Sequence, residues 1–162
     1  MPDMLCSLYE YKPDYTLYKQ LEENGVVVRQ ALGAERTSVL DFIQTHFSEA
    51  WVGEASIALS NMPVSCYIAI KDHKILGFSC YDAGRKGMFG PIGVCPDARG
   101  LKLGKALLQE TLLAMRYNGY PYAIIGYVGP AEFYEKLCGA KIIEGEDPPP
   151  EYRNFVKPRT DK

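Results

Sequence analysis

Apolar and polar positions alternate along the chain in short runs whose period switches between strand-like and helix-like spacing. Residues 14–23, "DYTLYKQLEE", predict a short helix that starts at Asp14 and stops at Asn24-Gly25. "VVVRQ" at 26–30 is β-rich and bounded by Gly25, which predicts a strand. From Ala34 to Phe47 the residues Val39, Leu40, Ile43 and Phe47 recur at helical spacing, and a second helix is predicted over Trp51–Ser60, ended by Asn61 and Pro63. Three β-rich runs follow, "SCYIAI", "ILGFSCY" and "MFGPIGV", separated by the turns "KDHK" and "DAGRKG", and they read as an antiparallel meander.

The pattern then changes. Leu101, Leu107, Leu108, Leu112 and Met115 predict a helix from Leu101 to Asn118, with Asn118-Gly119 as its stop. "YAIIGYV" is a buried-looking strand, "AEFYEKLCG" a short helix and "AKIIE" a last strand; strand-helix-strand implies a parallel crossover. The end, "GEDPPPEYRNFVKPRTDK", is Pro-rich and charged, and reads as an extended tail docked by Tyr152 and Phe155. The expected class is therefore mixed α/β, with 1–25 an N-terminal extension carrying a short helix, 26–144 one domain and 145–162 a tail.

Composition narrows the chemistry. A chain of 162 residues with 47% apolar residues can bury a sizeable core, and its net charge of −2 gives no general attraction to nucleic acid. Five cysteines (Cys6, Cys66, Cys80, Cys95, Cys138) without C-x-x-C spacing argue against a disulfide framework and fit a reducing, cytoplasmic setting. Two histidines, His46 and His73, exclude a histidine-rich metal site, so no metal is expected. No signal peptide and no membrane-length apolar run is visible in the sequence, and no membrane or nucleic-acid partner is expected.

One junction stands out. "GPIGVCPDARGLKLGKALLQ" (90–109) runs from strand through turn into helix, with Arg99, Lys102 and Lys105 around Gly100 and Gly104. Helix starts normally attract acidic residues, so cations there imply that an anion comes from elsewhere. The Walker A spacing fails, because Arg99 stands where its first glycine belongs and Ala106 where its hydroxyl belongs. The G-x-G-x-x-G fingerprint is absent too. The physical logic survives: unpaired N–H groups, glycines and flanking cations suit a pyrophosphate.

"VCPDARGLKLGKALL" resembles the acetyl-coenzyme A loop of the GNAT N-acetyltransferases, [Q/R]-x-x-G-x-[G/A], with Arg99 at the first position and Gly104 at the last. Lys102 stands where the family has glycine. "PAEFYEKLCGAKII" is similar to the family's second signature, which places Tyr134 near the coenzyme sulfur, and Val128 stands where the family often has asparagine. The element order over 26–144 resembles the family as well. The resemblance implies the GNAT acyl-coenzyme A N-acyltransferase fold, a mostly antiparallel mixed sheet with splayed central strands flanked by helices. A non-donating Pro91 near that gap is compatible with it.

What the family does then becomes the expectation: transfer of acetyl from acetyl-coenzyme A, as co-substrate, to a primary amine in a ternary complex. By this resemblance the backbone of Ile92 faces the acetyl oxygen, Val94 pairs with pantetheine, and Arg99, Gly100, Leu101, Lys102, Leu103, Gly104 and Lys105 hold the pyrophosphate. Tyr134 binds the coenzyme and is the candidate proton donor to the departing thiolate. The family's glutamate position falls at Met88, which takes no proton, so the candidate base is Glu54, with Glu49 and Asp82 behind it, or else none is needed because the amine loses its proton through ordered water. Glu49 and Glu54 favour a cationic acceptor, either a small-molecule amine or a protein amine. Homodimers are common among relatives, though no feature of the chain shows one. Trp51 fits core and substrate wall equally, and His46 reads as structural. A rival reading, a GNAT-shaped module that binds coenzyme A or a protein without catalysis, draws on Lys102 and Val128.

Overall fold

Among the described residues seven short strands share one sheet, and helices pack against both its faces. The computed structural model describes residues 1–145 and 147–156. In chain order it has β1 (Met4–Ser7), α1 (Thr16–Glu23), β2 (Val27–Gln30), α2 (Arg36–His46), α3 (Glu49–Ala58), β3 (Cys66–Lys71), β4 (Lys74–Tyr81) and β5 (Met88–Val94). These are followed by α4 (Leu103–Tyr117), β6 (Tyr122–Ile125), α5 (Ala131–Cys138) and β7 (Lys141–Ile142). The strand order is β2-β3-β4-β5-β6-β1-β7, antiparallel throughout except for the parallel β5–β6 pair. The expected meander is β3-β4-β5, and α4 makes the crossover from β5 to β6.

Alternation along β4 sorts the core. Phe78 and Cys80 enter the cluster beneath α2 and α3, with Val39, Ile43, Ala55 and Ile68. The intervening Ser79 turns to α4, where its Oγ donates to the Leu107 carbonyl at 3.2 Å and pairs with Thr111 Oγ1 at 2.5 Å. Tyr81 joins Leu108, Leu112 and Tyr134 on that same side.

Several boundaries shift. The helix predicted from Leu101 begins at Leu103, because Gly100 (φ 89°) and Lys102 (φ 58°) hold the left-handed region. The helix predicted from Trp51 begins at Glu49, behind Ser48, whose Oγ accepts from the Trp51 N–H. The strand "YAIIGYV" stops at Ile125, and "AKIIE" keeps only Lys141–Ile142. No strand is expected before residue 26, yet Met4–Ser7 lies between β6 and β7, with Met4 and Cys6 fully buried. Tyr152 docks against Tyr127 with ring centroids 5.0 Å apart, whereas Phe155 is 56% exposed and pairs with no aromatic ring among the described residues. The remainder of the predicted tail, 157–162, lies outside the described residues.

Candidate active site

Strand β5 has one satisfied edge and one open edge. Its register with β4 pairs Gly77 with Val94 and Ser79 with Ile92. The Cys95 N–H donates to the Leu76 carbonyl at 2.9 Å, so residues 93 and 95 point their polar groups at β4. By alternation, the N–H and C=O of Ile92 and Val94 point away from it. On that side β5 pairs with β6 only through Met88 and Phe89, opposite Ile124 and Ile125. Beyond them the two strands part, leaving a V whose one wall is a row of unpaired backbone groups. Gly90 and Pro91 stand opposite Cys80, where the β4–β5 register shifts. The missing donor of Pro91 thus falls within a bulge against β4, not at the gap where it is expected.

The loop from β5 to α4 leads from that V to a helix start. Residues Pro96–Ala98 form a 3₁₀ turn, Arg99 is extended, and α4 begins after Lys102 with no side-chain cap. The N–H groups of Leu103, Gly104 and Lys105 head the helix, and the Ala106 N–H is the first to reach back, to the Lys102 carbonyl at 3.1 Å. Leu103 is 1% exposed, so it can offer a ligand only its backbone, and Leu101 is half-buried. Lys102 occupies the left-handed conformation that a glycine adopts at no steric cost, which gives a backbone reason for glycine at that position of the loop pattern.

The three cations differ in their partners. Lys105 Nζ donates to Asp14 Oδ2 at 2.6 Å, and Lys102 Nζ donates to Gln20 Oε1 at 3.2 Å. Arg99 is exposed and its guanidinium makes no hydrogen bond or ion pair among the described residues. One of the three positive charges at this helix start is therefore countered from within the chain, by Asp14, while Gln20 offers Lys102 only a neutral oxygen. Asp14, held by Lys105 and by the Thr16 hydroxyl, has a carboxyl lowered to about 2. Nothing local in the sequence marks Asp14 or Gln20 as part of this site, because the contacts span more than eighty residues.

Helix α5 closes the V on the α4 side. Tyr134 is 6% exposed, with its ring 6.1 Å from that of Phe89 and 5.0 Å from that of Phe133. Phe133 in turn lies against Gly104, where an added Cβ would stand 3.5 Å from the ring. The Tyr134 hydroxyl has no protein partner among the described residues, and burial, then the neighbouring Cys138, push it up to about 12. Val128 is 4% exposed and its N–H donates to the Pro2 carbonyl, so the position is core.

The opposite face is built by α2 and α3. Gly93, opposite Phe78, carries no side chain because the Phe47 ring sits there: a Cβ would come within 2.5 Å of it. Trp51 stacks beside Phe47 at 5.2 Å and packs on Phe78, which makes it half-buried wall. Glu54, one turn on, brings Oε1 to 3.1 Å from where a Gly84 Cβ would be. Its carboxyl has no cation or donor among the described residues, and burial alone raises its pKa. The same carboxylate helps to raise the thiol of Cys80, which places it beside the bulge of β5. Asp82 is committed elsewhere: Oδ1 accepts from the Gly87 N–H at 2.7 Å and Oδ2 from the Tyr120 hydroxyl at 2.6 Å. Glu49 is exposed at the start of α3, and His46 is exposed with its ring 4.8 Å from Phe42. Met88 Cε packs where a Gly126 Cβ would be. Tyr134 and Glu54 thus approach the V from opposite faces of the sheet. No cluster of three or more metal-ligating side chains occurs among the described residues, and no helix there is long and apolar enough to cross a membrane.

Residues 63–137 match the family model described as the acetyltransferase (GNAT) domain. A comparison with curated proteins finds no match. Among solved structures, the fold is similar to the GCN5-related glucosamine N-acetyltransferase region of a fungal multi-domain GH3 β-N-acetylglucosaminidase, with TM-score 0.72 and 12% identity over 88% of this chain and 19% of that one. It is also similar to a GCN5-related N-acetyltransferase from Sphaerobacter thermophilus, with TM-score 0.63 and 19% identity over 88% and 48%. A GCN5-related N-acetyltransferase-like protein from Streptococcus suis has TM-score 0.58 and 15% identity over 88% and 58%. The chain spans less than two thirds of the length of each of these three structures. Residues 63–137 thus match the acetyltransferase (GNAT) domain, and the chain has the fold of these GCN5-related N-acetyltransferase structures.

Proposed function

We propose that the chain transfers acetyl from acetyl-coenzyme A to a primary amine by direct attack in a ternary complex. The observation that carries this reading is the open edge of β5, where Ile92 and Val94 present unpaired backbone groups in line with the helix start at Leu103 and the exposed Arg99. An extended amide-containing arm can pair with such an edge as a strand does, and the phosphates that follow it meet N–H groups and a guanidinium. Gly100 and Gly104 leave the backbone open there, and Lys102 and Lys105 flank it.

The residues then divide the chemistry. Glu54, raised by burial, takes the proton from an alkylammonium acceptor arriving on the α2–α3 face. The neutral amine attacks the thioester carbon, forming the C–N bond, while the Ile92 N–H donates to the oxygen that gains charge. The C–S bond breaks with its electron pair on sulfur, and the Tyr134 hydroxyl donates to that sulfur from the α4 face. The nitrogen loses its second proton to solvent. A carboxylate base and an aromatic wall of Trp51 and Phe47 favour a cationic amine, whether on a small molecule or on a protein.

Purified protein is titrated with acetyl-coenzyme A, and thiol release is followed with a panel of amines. Micromolar binding that falls at least about tenfold in Arg99→Ala, with amine-dependent thiol release, is the expected result. Binding without release for any amine would favour the rival non-catalytic module. No binding would remove the reading.

Glu54 provides an independent check through stability. A carboxyl whose folded pKa lies above its unfolded value binds more protons in the folded state, so stability falls as pH rises through that interval. Glu54→Gln removes this penalty. The variant is expected to match the parent at pH 4, to be the more stable at pH 8 in thermal unfolding, and to lose about a hundredfold in turnover. Equal stability at both pH values would mean that Glu54 carries no desolvated charge.

A further inference from the structure

We infer that Asp14, in the segment before the matched domain, is an internal stand-in for the coenzyme's phosphate: it holds the Lys105 ammonium until the coenzyme displaces it. This rests on the coenzyme reading of the helix start given above. Lys105 heads α4 and its ammonium bonds to Asp14 Oδ2 at 2.6 Å. Both partners are partly open to water, with side-chain exposures of 32% for Lys105 and 39% for Asp14. A pair so exposed is a weak one, and a lysine on a flexible stem can turn to a stronger anion at little cost. A pyrophosphate carries more charge than one carboxylate, so it wins the ammonium when it reaches the helix start. Gln20 does the same on a smaller scale, taking the Lys102 ammonium with a neutral oxygen at 3.2 Å.

The attachment of the segment itself does not depend on that carboxylate. The Asp14 N–H donates to Gln109 Oε1 at 2.7 Å, and Gln109 Nε2 donates to the Asp14 carbonyl at 3.2 Å. Gln109 is 1% exposed, so these two backbone bonds form the buried anchor. The other oxygen, Oδ1, accepts from the Thr16 N–H at 3.1 Å and from its hydroxyl at 2.6 Å. An asparagine oxygen accepts both equally well. Asp14→Asn therefore removes the charge that competes for Lys105 and keeps the docking.

The test is calorimetric titration with coenzyme A of the parent, Asp14→Asn, Lys105→Gln and the double variant, at low and moderate salt. Asp14→Asn is expected to bind about three- to tenfold more tightly at low salt, with the gain shrinking as salt screens the site. Lys105→Gln is expected to bind more weakly, and Asp14→Asn to add nothing in the Lys105→Gln background, since the effect passes through that ammonium. Unchanged or weaker binding in Asp14→Asn, with parental binding intact and its melting temperature retained, would overturn this inference alone. A gain that persists in the double variant would also overturn it, by showing a diffuse charge effect. If the parent itself does not bind coenzyme A, the coenzyme reading fails and this inference falls with it.

Discussion

Tyr134→Phe is expected to lower turnover about a hundredfold while leaving acetyl-coenzyme A binding within about twofold. The ring of Tyr134 is buried against Phe89 and Phe133, and phenylalanine keeps those contacts. Only the hydroxyl is lost, and it bonds to no other group among the described residues. Its pKa, pushed up to about 12 by burial and by Cys138, decides its role. A thiol ionises near 8.5, so a proton shared between the two stays mainly on the tyrosine. On the proposed reading the hydroxyl would act as a fixed hydrogen-bond donor to the charge that grows on sulfur, and the thiolate would complete its protonation from solvent. A donor of that kind is retained across pH 6–10, so no loss of turnover on the alkaline side in this range arises from Tyr134. Turnover unchanged in Tyr134→Phe would remove the residue from the chemistry. A melting temperature well below the parent's would make it a packing residue instead.

The parts of this fold that could be read from sequence are those whose physics is local. The meander of β3, β4 and β5 is written in runs of β-branched and aromatic residues punctuated by turns, and α4 is written in Leu107, Leu108, Leu112 and Met115. The start of α4 was less legible, because Lys102 adopts a backbone conformation that its residue type does not advertise. Strand β1 is four residues long, and only its neighbours β6 and β7 make it a strand. The loop 99–105 reads from sequence as a candidate anion site, yet the partners of its cations do not: only the fold reveals that Asp14 engages Lys105 and that Gln20 engages Lys102. The same holds for the candidate bases. Glu54 ranks ahead of Asp82 as letters only by position, and they separate physically once Asp82 is seen tied to Gly87 and Tyr120 while Glu54 is half-buried with no partner among the described residues.

Phe78→Ala is expected to destabilise the protein by about 3–5 kcal/mol, the range for truncating a fully buried phenylalanine. Phe78 is 0% exposed, and its ring stands 5.6 Å from Phe47, 6.0 Å from Trp51 and 6.5 Å from Phe42. Few neighbours can collapse into the space, because β3 and β5 flank β4 and fix the backbone beneath it. At about 2–4 °C per kcal/mol for a domain of this size, the melting temperature falls by roughly ten degrees. The consequence reaches the site on one face only. Phe47 is seated between Phe78 and the bare backbone of Gly93, so without Phe78 its ring can sink away from β5 and carry Trp51 with it. The open edge of Ile92 and Val94, the start of α4 and Tyr134 pack with Leu107, Leu108 and Leu112, which belong to other core clusters than Phe78. Below its melting temperature the variant should therefore bind coenzyme A within about threefold of the parent, while its tryptophan fluorescence shifts to the red as Trp51 gains water. A loss under about 1 kcal/mol would show that the aromatic cluster is not the core of that face. Loss of coenzyme binding in the folded variant would show that the two faces of the V are not built independently.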